Sequence, residues 1–169
     1  LELDSLHLNS SVSALKEVDF ELAYLALLSR EGIKPLSRWE KPLGDREMGL
    51  LRDSGLLAEQ IKRTVKTGKE LTETVFSASA GYVELYRERF ADTPIDKSAA
   101  TVRFEGFLFG YPPCCVERFI RQPYAQNDLD PQQQKILFHW ACKGCTITPV
   151  LWPAYKSIHD FITALPATS

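Results

Sequence analysis

Ile61-Lys62-Arg63-Thr64-Val65-Lys66-Thr67-Gly68-Lys69-Glu70-Leu71-Thr72-Glu73-Thr74-Val75 is the stretch on which the fold class turns. Ile61, Arg63 and Val65 alternate with their neighbours. Lys66-Thr67-Gly68-Lys69 then supplies turn chemistry, and β-branched Thr72, Thr74 and Val75 follow. Alternation on both sides of a glycine-bearing turn predicts a hairpin near residues 57–77. A continuous amphipathic helix is the competing reading of the same residues. The Lys and Arg residues of 62–69, balanced by Glu70 and Glu73, read as a solvated hairpin face.

Outward from this stretch the pattern is helical. Residues 1–12 are polar and mixed and read as a poorly ordered lead-in. Ser13 caps a helix to about Arg30, with Leu15, Val18, Leu22, Leu25 and Leu28 on one face. Residues 33–44, with two prolines and Trp39, read as an irregular connection. A short helix runs from Asp45 through Leu51. The next begins at Ser79, with Tyr82, Val83, Leu85, Tyr86 and Phe90 apolar, and Asp92-Thr93-Pro94 breaks it. Another covers Ser98 to Phe109 and stops at Gly110. A helix after Pro112-Pro113 turns Val116, Phe119 and Ile120 inward, until Pro123. Asp130-Pro131 is a capping carboxylate followed by proline at the first helical position. The helix it starts should carry Ile136, Leu137 and Trp140 inward and end near Gly144. The last runs from Pro149 or Pro153 to Ala164. The expected fold is therefore mainly α: a single helical domain over 1–169, with a small β-hairpin near 57–77.

Composition removes several function classes. Hydrophobic residues make up 44% of the 169 and charged ones 25%, as in an ordinary globular chain. A net charge of -2 argues against a general nucleic-acid binder, which needs surplus Lys and Arg to displace counterions. A local basic patch stays compatible with it. No apolar run approaches the roughly 20 residues that span a bilayer. No signal peptide is visible, although the sequence begins at Leu1, and the expected location is cytoplasmic.

The chemistry concentrates in residues 107–146. All four cysteines, Cys114, Cys115, Cys142 and Cys145, fall there, and the 113 residues before them contain none. Four are too few for a disulfide scaffold in a chain that can bury its own core. His139, Cys142 and Cys145 step by three residues, so His139 and Cys142 would share a helical face. Gly144 would then let Cys145 fold back beside Cys142. Cys114 and Cys115 sit in the first turn of a helix, where unpaired N–H groups and the dipole stabilise a thiolate.

Three readings follow. The first is a metal site built from Cys114, Cys115, Cys142, Cys145 and His139. Zinc takes four ligands in a tetrahedron, and adjacent cysteines reach one ion only with strain. Zinc would thus use His139, Cys142, Cys145 and one of Cys114 or Cys115. A [4Fe–4S] cluster offers separate irons to two diverging thiolates and is favoured on that ground. The second is thiol–disulfide redox chemistry at Cys142-Lys143-Gly144-Cys145, although no strand precedes the motif as thioredoxin-like context requires. The third is a secreted binding module stapled by two disulfides. Substrate, reaction and partner are not legible.

Phe107-Leu108-Phe109-Gly110-Tyr111-Pro112-Pro113-Cys114-Cys115-Val116-Glu117-Arg118-Phe119, followed by His139-Trp140-Ala141-Cys142-Lys143-Gly144-Cys145, resembles an uncharacterised archaeal and bacterial domain family. Its members carry G-Y-P-x-C-C-V-x-x-F and, downstream, H-x-x-C-x-x-C. The likeness covers about residues 107–146 and implies one shared His-plus-four-Cys site, with no settled activity attached.

Other residues read blandly. His7 lies in the lead-in, and His159 beside Asp160 reads as a surface residue. His139 could also act as a donor to a sulfur instead of a ligand. Tyr111 packs over the Pro-Pro turn, Glu117 and Arg118 form an outer helix face, and Trp140 and Trp152 are core. No phosphate-loop, nucleophile-elbow or zinc-protease motif is present.

Overall fold

The computed structural model describes residues 6–166. In chain order the elements are α1 (Leu6–Val18), α2 (Phe20–Arg30), β1 (Ser37–Trp39), α3 (Asp45–Asp53), β2 (Leu57–Thr64) and β3 (Glu70–Ser77). Then come α4 (Ala80–Phe90), α5 (Ala99–Leu108), α6 (Pro113–Arg121), α7 (Pro131–Ile136) and α8 (Thr148–Ala164). This corrects the expected fold class. Helices share the molecule with a three-stranded antiparallel sheet of order β1-β3-β2, so it is a mixture of α and β and not a helical domain with an appended hairpin.

The hairpin itself lies where the alternation places it. Leu57 pairs with Ser77 and Thr64 with Glu70. Gly68, at a φ of +81°, closes its turn by donating its N–H to the Val65 carbonyl at 2.8 Å. The third strand, β1, falls inside the expected irregular connection and pairs Ser37 with Phe76. Three residues are too few to display a period. The Ser37 hydroxyl, 2.7 Å from that of Ser29, ties the strand to α2.

Strand β3 is buried on both faces. Val75 joins Ile61, Val83, Tyr86 and Phe90 on the α4 side. Phe76 points the other way, into Leu15, Leu22, Leu25, Tyr155 and Ile158. That is the two-residue period of a strand between helical layers. The same period buries Arg63, at 2% exposure, which corrects the solvated-face reading. Its guanidinium lies 3.3 Å from Glu73 and from the Tyr86 hydroxyl, and that hydroxyl donates to Glu73 at 2.5 Å.

Three further corrections concern helix limits. Residues 6–12 are helical, while residues 1–5 of the expected lead-in and the His7 side chain lie outside what is described. The single helix 13–30 is two helices. Asp19 adopts an extended backbone and accepts the Glu21 N–H at 2.8 Å, capping α2 and leaving Val18 exposed. Helix α7 ends at Ile136 instead of near Gly144.

Two glycines set the approach to the cysteines. A Cβ on Gly106 of α5 would stand 2.6 Å from Val116 Cγ2 of α6. Gly110, at a φ of +70°, turns the chain between these helices with Pro35 Cδ 2.7 Å from where its Cβ would be. Gly106→Ala should therefore cost about 1–3 kcal/mol through overpacking. Urea denaturation would measure it, and an unchanged midpoint would show that α5 and α6 separate freely.

Candidate metal centre

Two helix starts converge on the cysteines. Pro112 precedes α6, whose first three residues are Pro113, Cys114 and Cys115. On the other side, Thr148 opens α8. Between α7 and α8 the chain is irregular, so His139, Cys142 and Cys145 do not share a helix as the three-residue spacing suggests. A turn does the work instead. The Cys145 N–H donates to the Cys142 carbonyl at 3.2 Å, with Gly144 at a φ of +70°. The Gly144 N–H is held by Asp128 at 2.9 Å. Gln134 accepts from the Ala141 N–H and donates to the His139 carbonyl. The Trp140 indole N–H reaches the Ala125 carbonyl at 2.6 Å, and its ring meets Tyr124 edge-on. Trp140 is thus half-buried on a loop and not a helical core residue.

The four sulfurs lie within 4.8 Å of one another, close enough to bind a metal ion. Cys114 Sγ is 3.6 Å from Cys145 Sγ; Cys115 Sγ is 3.7 Å from Cys142 Sγ and 3.5 Å from Cys145 Sγ. All four cysteines are free, so no disulfide staples these segments. The expectation that adjacent Cys114 and Cys115 diverge is corrected. Side chains on a helix lean toward its N-terminus, so two neighbours in the first turn both overhang the helix start. Cys115 is buried and Cys114 exposed.

His139 sits beside this group and outside it. Its Nε2 is 2.9 Å from the Thr148 hydroxyl, its Nδ1 has no protein partner, and its ring packs on Tyr111. Burial first, and then the Lys34 charge, lower its pKa to about 4. Tyr111 accordingly packs on Phe109 and His139, not merely over the proline turn. Glu117 pairs with Arg103 and Arg118 with Gln122, as an outer face would. His159 is half-buried against Phe20 and Tyr24.

Thr148 is the residue that sequence reasoning missed. It is 1% exposed and donates to Cys145 Sγ through its hydroxyl at 3.2 Å and its N–H at 3.3 Å. The sequence offers Pro149 or Pro153 as the start of the last helix, and nothing in Thr148 announces a sulfur. The Cys142 N–H likewise donates to Cys115 Sγ at 3.3 Å. These donors set Cys145 apart from Cys114 and Cys115. Burial, then the neighbouring Cys145 and Cys142, push Cys114 up to about 11. Burial raises Cys115 as well, against the Cys142 N–H. Burial also opposes ionisation of Cys145, but Thr148, the Ile147 N–H and the Cys115 thiol outweigh it and bring Cys145 down to about 6.

No described helix is long and apolar enough to cross a membrane. No family model, curated protein or solved structure matches the chain.

In metal-free, reduced protein at pH 7, Cys145 should be the first cysteine alkylated by iodoacetamide, because the thiolate is the nucleophile. Thr148→Val should slow that reaction several-fold. Peptide mass spectrometry would follow both. Faster labelling of the exposed Cys114 would show that exposure, not hydrogen bonding, sets the order.

Proposed function

We propose that the chain is a metal-binding protein whose Cys114, Cys115, Cys142 and Cys145 together hold one tetrahedral ion, with zinc as the metal. The observation that supports this is the sulfur spacing. Four sulfurs about 2.3 Å from one ion form a tetrahedron with edges of about 3.8 Å. The three contacts of 3.6, 3.7 and 3.5 Å sit close to that edge. A [4Fe–4S] cluster places four irons and their sulfides between the thiolates, each thiolate on its own iron. Sulfurs within 4.8 Å of one another leave little room for such a core. The spacing therefore favours zinc over the cluster that the adjacent cysteines suggested.

Four sulfur ligands fill a tetrahedron and leave no open position for substrate, which is the character of a structural site. The ion would join the start of α6 to the 137–147 segment and the start of α8. His139 would act through Thr148, orienting the hydroxyl that donates to Cys145. The two blocks that resemble the uncharacterised family supply all four sulfurs, and membership of that family is part of the same proposal.

A thiol–disulfide role is the second reading, favoured by exposed Cys114 lying 3.6 Å from the readily ionised Cys145. Metal analysis of anaerobically purified protein distinguishes the two. About one zinc per chain in a colourless solution supports the single-ion site. About four irons with sulfide restores the cluster. Metal-free protein with a reversible disulfide supports the second reading. Each Cys→Ser substitution should abolish tight zinc binding, whereas His139→Ala should weaken it by only about 10–100-fold. Equal losses for His139→Ala and the cysteine variants would make His139 a ligand.

A further inference from the structure

Lys34 is the most deeply buried cation not paired with a carboxylate. It follows α2 and is 2% exposed. Its ammonium donates to the Phe109 carbonyl at 3.1 Å and lies over the rings of Tyr111, Phe138 and Phe109, at 4.5, 5.2 and 5.3 Å from their centroids. An ammonium carries three donors, and one protein acceptor leaves two of them open. Among the described residues Lys34 forms no ion pair. Burial, and then the charge of Arg38, lower its pKa to about 7. An isolated buried charge is costly, and aromatic faces offset only part of that cost.

Lys34 lines a cavity of about 400 Å³. That volume falls in the range of small-molecule sites. Trp39, Phe109, Tyr111 and Phe138 supply its aromatic walls. Arg38 also borders it, but Glu105 already engages that guanidinium at 2.5 Å. At its exposed side stand Asp19, Glu21 and Glu40, the mouth of the cavity, with Lys41 nearby. Asp19 caps α2 and Glu40 lies 3.4 Å from Arg38, so among the described residues Glu21 is the carboxylate there without an ion pair or a cap to hold. The Glu21 carboxyl is held above its ordinary range, first by burial and then by Asp19 and Glu40.

We propose that this cavity binds a small zwitterion on an apolar body, its carboxylate against the Lys34 ammonium and its amine among the carboxylates of the mouth. The carboxylate of such a ligand supplies the partner that Lys34 lacks, its amine the partner that Glu21 lacks, and the body covers the aromatic walls. A phosphate dianion meets the acidic mouth on entry and is disfavoured. A neutral molecule fills the walls and leaves Lys34 unpaired.

The test titrates the purified protein with para-(aminomethyl)benzoate, benzoate, benzylamine and benzamide, followed by calorimetry and by tryptophan fluorescence. The zwitterion should bind most tightly, benzoate more weakly, and benzylamine and benzamide without saturation. Lys34→Met should raise stability at pH 7 and weaken the zwitterion on the order of tenfold or more, the usual loss when a buried charge pair is broken. Absence of saturable zwitterion binding, equal binding of benzylamine, or undiminished binding by Lys34→Met would each overturn the proposal. Should Lys34→Met fail to fold, the ranking of the four probes on the wild-type protein decides the matter alone.

Discussion

Four cysteine sulfurs within 4.8 Å of one another cannot all carry charge unless something positive stands among or behind them. Burial first, and then the neighbouring cysteines, raise the pKa of Cys114 and Cys115, so both resist ionisation. The chain answers with two helix starts. The first turn of α6 presents Cys114 and Cys115, and the first turn of α8 presents the Thr148 N–H and hydroxyl to Cys145. The α8 start directs its Thr148 N–H at Cys145, and both starts turn the positive end of a helix dipole toward the sulfurs. That arrangement stabilises about one thiolate. Ionising all four would need a cation among them.

The helices are in turn placed by the sheet. Strand β3 is buried on both faces, so it fixes α2 and α4 on opposite sides of itself. Glu73 of β3 anchors Arg63 and Tyr86, and Arg38 of β1 extends the group to Glu105 on α5. A buried charge group of this kind is costly to break, because each partner left behind is an uncompensated charge. Helix α5 is thereby tied to the sheet. Gly106 lets α6 pack closely on it, and Gly110 turns the chain toward the Pro-Pro pair. The position of Cys114 and Cys115 therefore descends from the hairpin.

Tyr111 joins the cysteine site to the aromatic cavity. Its ring lies over the Lys34 ammonium and beside the His139 ring, and His139 meets Thr148, which bonds Cys145. The segment carrying Phe138 and His139 is irregular and is held by Gln134 and by the cysteine turn. Whatever fastens Cys142 and Cys145 also fastens one wall of the cavity.

The sequence by itself determined the pieces whose physics is local. Alternation about Gly68 gave the hairpin, Asp130-Pro131 gave the cap of α7, and Ser98 and Gly110 bounded α5. Clustering of the four cysteines in two blocks named the sulfurs that meet, and Gly144 explained how Cys145 turns back beside Cys142. Tertiary structure decided the rest, because those features depend on distant partners. Strand β1 exists only through pairing with β3, and Arg63 is buried only because Glu73 and Tyr86 receive it. Adjacent cysteines converge because the helix start leans both toward segments some thirty residues away, which sequence spacing does not encode. His139 kept its place near the sulfurs but reached it from a loop, and Thr148 became a donor to Cys145 only once α8 began beside it.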